Sequence, residues 1–61
     1  MYCIRSWNKM YMFWHESVVR SAWYVVAWGA AATKFKTEAE AQLALKSAAA
    51  QGFTGLRVEE F

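Results

Sequence analysis

At 61 residues, with a net charge of +2 and a single cysteine, the chain makes one domain (1–61) and can form no internal disulfide. A domain of about 60 residues buries only about 60% of the surface its unfolded chain exposes, so an aromatic-rich core, self-association or both must replace the missing staple. One Cys and one His argue against a four-ligand structural zinc site, and no cofactor is expected.

Tyr2-Cys3-Ile4-Arg5 alternates and carries β-favouring residues, which predicts a first strand. Asn8-Lys9 is the expected turn, because Asn tolerates a left-handed backbone. Met10 to His15 predicts a second strand with aromatic or Met side chains at nearly every position. A two-residue loop would set Trp7 against Met10 and Ile4 beside Phe13. A three-residue loop would set Ser6 against Met10 and Ile4 beside Met12. A one-residue slip exchanges the faces of the whole strand, so the sequence leaves open whether Tyr11 and Phe13, or Met12 and Trp14, face the core.

Glu16 to Ser21 is a polar connection, into which Val18-Val19 could extend a strand. Trp23 to Trp28 is rich in β-branched and aromatic residues and predicts a third strand, ended by Gly29. Ala30 to Lys36 is expected to run extended, with Phe35 as its core anchor. The helix is expected at about 37–51. Thr37-Glu38-Ala39-Glu40 is a capping box, and Gly52 stands where a left-handed residue ends a helix, with Phe53 folding back. Ala41, Ala44, Leu45 and Ala48 follow the spacing of a buried stripe, and Leu43 points outward. Leu56 to Phe61 closes the chain as a strand, Leu56 and Val58 inward, Arg57 and Glu59 outward. The expected fold is α+β: a three- to five-stranded antiparallel sheet with one helix on one face, in the order β-β-β-α-β.

A single helix covers one face of such a sheet. Polar residues in 10–15 and 23–28 are too few to coat the other, so aromatics must lie exposed there, and a contiguous apolar patch marks a contact surface. The charge is uneven. Residues 1–36 carry Arg5, Lys9, Arg20, Lys34 and Lys36 against Glu16 alone, whereas 37–61 carry Lys46 and Arg57 against Glu38, Glu40, Glu59 and Glu60. Trp7, Tyr11 and Trp23, rimmed by Arg5, Lys9 and Arg20, are the candidate binding residues.

Catalysis is not expected. The chain has no Asp, His15 and Glu16 would point to opposite faces of a strand, and a Cys3–His15 couple would lack an orienting group. Gly29, Gly52 and Gly55 match no phosphate-cradling spacing. The stretch 22–32 is far short of the roughly 20 residues of a spanning helix, and Met1–Arg5 lacks the form of a secretory leader. With its lone thiol, the expectation is a cytoplasmic protein without membrane contact.

Trp28, Ala32, Phe35, Thr37, Glu40-Ala41 and Arg57-Val58 together resemble a pattern of short phage and prophage proteins. There a strand Trp precedes an Ala-x-x-Phe-x-Thr/Ser segment, a Glu-Ala helix start and an Arg-Val strand. The opening Tyr2-Cys3-Ile4-Arg5 is also similar, whereas the Trp28-to-Ala32 run departs from the polar loop of that pattern. The resemblance implies a mobile-element origin in a bacterial host cell. It also implies an accessory role, including inhibition of bacterial defence as by anti-CRISPR proteins, through masking of a host protein. The expected function is therefore a non-enzymatic protein-binding module whose partner is a host protein or a second copy (a homodimer). The alternative is single-stranded nucleic-acid binding, by aromatic stacking beside the basic strand half.

Overall fold

The computed structural model describes all 61 residues. Four strands, β1 (Tyr2–Arg5), β2 (Tyr11–His15), β3 (Ala22–Val26) and β4 (Arg57–Glu60), form one antiparallel sheet in the order β3-β2-β1-β4. The single helix α1 (Glu38–Gln51) lies across β1 and β4 on one face. The α+β architecture expected from the sequence is the one observed.

Hairpin chemistry sets the register. The Ser6 amide donates to the Met10 carbonyl at 2.8 Å and Arg5 pairs with Tyr11, so Trp7-Asn8-Lys9 is a three-residue loop. Lys9, not Asn8, takes the left-handed conformation (φ 66°). Asn8 is spent differently: its Oδ1 accepts the Met10 amide at 3.3 Å, the side-chain-to-backbone bond that favours Asn in turns. This loop places Ile4 and Met12 in one core cluster with Trp23 and Ala48. Met12 and Trp14 thus face the helix, and Tyr11, Phe13 and His15 face away.

β2 and β3 pair along their whole length, as do β1 and β4, but β1 and β2 pair only at Arg5–Tyr11. The segment Thr33–Phe35 fills the gap between these two ribbons. The Thr33 amide donates to the Met12 carbonyl (3.2 Å) and its Oγ1 accepts the Trp14 amide (2.8 Å). Phe35 exchanges two 2.8 Å backbone bonds with Tyr2. The expected extended run therefore begins only after a 3-10 turn, Gly29–Ala31. Lys34 Nζ donates to the Gly29 and Ala32 carbonyls (2.5 and 3.0 Å), adding to the bond that the Gly29 carbonyl accepts from the Ala32 amide at 3.1 Å.

The helix starts on the reciprocal Thr37–Glu40 capping box. It ends with the Gly52 amide on Ala49 and the Phe53 amide on Ala48, a Schellman arrangement. Ala41 and Ala48 are fully buried, Ala44 and Leu45 half-buried, and Leu43 is exposed. Small side chains let the helix axis approach the sheet, so the bulk of the core comes from the strands. Val18 and Val19 do not extend a strand; both lie fully out in the connection 16–21. The third strand ends at Val26, short of Trp28.

Candidate functional site

The helix-free face has two halves with different chemistry. Over β1 and β4 it is closed by interlocking aromatic and cationic groups. The Tyr11 and Phe61 rings meet edge to face with centroids 6.4 Å apart. Arg5 lies 4.5 Å above Tyr11 and Lys34 lies 4.1 Å above Phe61. Gly29 approaches so closely that a Cβ there would stand 2.7 Å from the Phe61 ring. Beneath this layer Cys3, on the face opposite the helix, is only 1% exposed. Burial pushes its thiol up from the ordinary value; the Glu59 carboxylate adds to this, and Lys34 and Arg5 oppose it.

Over β2 and β3 the face is open. Phe13 and Tyr24 are cross-strand partners, and His15 packs against both, tilted to Phe13 at 6.1 Å and edge to face with Tyr24 at 6.0 Å. Tyr24 is 47% exposed and Phe61 57%. Tyr11, Phe13, His15, Tyr24 and Phe61 thus carry an aromatic surface across the helix-free side. Cys3 and His15 form no couple, because the Thr33–Phe35 segment separates β1 from β2 beyond the hairpin.

The cations of this face are engaged within the chain. Arg5 meets Glu59 (3.6 Å) and donates to the Lys9 carbonyl (2.7 Å). Arg57 Nε meets the same carboxylate at 2.5 Å. The Arg57 hydrogen bond is the main reason the Glu59 carboxyl lies below the usual carboxylate range. Lys34 is held by two carbonyls and a ring.

The six residues singled out from sequence are not brought together. Tyr11 and Arg5 adjoin each other on the open face. Trp7 (73% exposed) and Lys9 sit at the β1–β2 turn, with Trp7 against the Gly55 backbone. Arg20 is exposed in the connection at the opposite end of β2. Trp23 departs from the expected surface: it lies on the helix side, 5% exposed, because the three-residue turn fixes Met12 and Trp14 inward and Trp23 pairs with Trp14. Phe13, Tyr24 and Phe61 were missed. Strand alternation would have found the first two had the register been known; Phe61 carries no such signal.

No helix is long and apolar enough to cross a membrane, and no group of three metal-ligating side chains occurs. No protein-family model, curated protein or solved structure matches the chain.

Proposed function

We propose that this protein is a non-enzymatic binding module that presents Tyr11, Phe13, Tyr24 and Phe61 to a protein partner or to a second copy of itself. The observation that carries this reading is the exposed aromatic surface on the helix-free face. Aromatic side chains dominate contact energetics because they bury large areas at small entropic cost. In line with the resemblance to short phage proteins, the form we propose is an accessory factor that masks a host protein surface. Stacking on single-stranded nucleic acid fits less well, since phosphate neutralisation needs free cations beside the stacking rings; Arg5, Lys34 and Arg57 there are engaged internally, and the unpaired Lys9 and Arg20 lie at opposite ends of β2.

A titration series at low and high salt tests the choice. Immobilised protein is challenged with nuclease-treated lysate of the producing cells and, separately, with random single-stranded oligonucleotides. The proposal expects protein capture that persists in high salt. Capture of oligonucleotide alone, fading steeply with salt, would replace it.

A further inference from the structure

On the opposite side of the sheet, a cleft of about 230 Å³ opens between α1 and the β2–β3 ribbon, lined by Trp14, Trp23, Thr33, Phe35, Ala44 and Ser47. It exists because α1 opposes two indoles and a phenyl ring with short side chains, Ala44 and Ser47. The Trp14 and Trp23 rings, 5.2 Å apart, diverge by 57° and form two of its walls. The third aromatic is held by the backbone bonds of Phe35 to Tyr2. Both indole N–H groups are committed elsewhere: Trp14 Nε1 donates to Glu16 Oε1 (3.2 Å) and Trp23 Nε1 to Ser47 Oγ (3.3 Å). The ring edges are therefore already bonded. No cationic side chain lines the cleft, and the Glu16 carboxylate stands beside its Trp14 wall.

Three aromatic rings, a neighbouring carboxylate and no competing cation are the parts of an aromatic cage. Such cages attract quaternary ammonium groups through the negative ring faces, which tolerate a cation that cannot donate hydrogen bonds. An anion would meet Glu16, and a primary ammonium would lose hydration that the walls replace only in part, since their two hydroxyls, Thr33 and Ser47, each already accept a hydrogen bond. We infer that this cleft binds a trimethylammonium group. The volume suits a choline-sized molecule, free or as a lipid headgroup. This site is separate from the proposed protein-binding face, so either can fail without the other.

The test titrates the intact protein with choline and with 3,3-dimethyl-1-butanol, its neutral isostere, following the four Trp indole N–H signals by two-dimensional NMR. Choline is expected to move the Trp14 and Trp23 signals, leave Trp7 and Trp28 in place, and bind about tenfold tighter than the isostere, a cation–ring contribution. Glu16→Gln should weaken choline about two- to fivefold. Ser47→Leu, at an exposed helix position, should fill the cleft and abolish binding while the amide spectrum stays dispersed. A parallel arm with phosphatidylcholine and phosphatidylglycerol vesicles assigns the source: binding to the choline lipid alone supports the headgroup, and binding of free choline only supports the solute. Equal affinity for choline and its isostere, or no response to choline in either form, would overturn the inference.

Discussion

Lys9 is the one non-glycine residue with positive φ, a conformation costing an L-residue about 1–2 kcal/mol. Lys9→Gly removes that cost but frees the unfolded chain, so stability should rise by about 0.5–1 kcal/mol, measured by urea unfolding. Glu59 makes a second prediction. Its carboxyl is held below the usual range in the folded chain, chiefly by Arg57. Its contribution is therefore present above the unfolded value of about 4.3 and is lost as pH falls through the lower folded one. The thermal midpoint should fall on acidification below about pH 4, and Glu59→Gln should flatten that part of the decline. Trp23 belongs to the core, packed with Ile4, Met12 and Ala48. Its truncation to Ala should cost about 3–5 kcal/mol, most of the stability of a domain this size at about 0.1 kcal/mol per residue. Loss of function in such a variant would report unfolding.

Among the elements, α1 was the most legible, because a capping box, an alanine stripe and a terminal glycine are local signals that tertiary context did not override. Strand positions were legible too, but not their faces. Which side chains of β2 point to the helix depends on whether the first turn holds two or three residues, and that is decided by Lys9 accepting an unfavourable backbone so that Asn8 can bind the Met10 amide. The wedge at Thr33–Phe35 left only Phe35 as a visible anchor, since its remaining bonds are to backbone. Another feature invisible in sequence is the Gln51 side chain, which brackets the free edge of β3. It accepts the Trp23 amide at 2.9 Å and donates to the Trp23 carbonyl at 3.0 Å. The side-chain amide thus occupies part of the place another strand would take, one way of blunting an exposed edge. Gln51→Ala should lower stability by about 1–2 kcal/mol through two lost hydrogen bonds. It should also speed amide exchange at Trp23, which hydrogen-exchange NMR would read; unchanged protection there would contradict this role.

At the scale of the molecule, one helix on a four-stranded sheet leaves a face that the chain itself covers only in part. Tyr11, Phe61, Arg5 and Lys34 close it over Cys3, while Phe13, His15 and Tyr24 remain open. That such a face would exist was legible from the scarcity of polar residues in β2 and β3. Its membership was not, because it depended on register and on where the last residue of the chain folds. The central claim, that this face binds protein, is tested most directly by capture from nuclease-treated lysate of the producing cells. Wild type is compared with a Phe13→Ser, Tyr24→Ser double variant and with Leu43→Ser on the outer side of the helix, each first shown to be folded. The account predicts a specific captured protein, or a second copy of the chain, that is retained by wild type and Leu43→Ser and lost by the double variant. Retention by all three would contradict it.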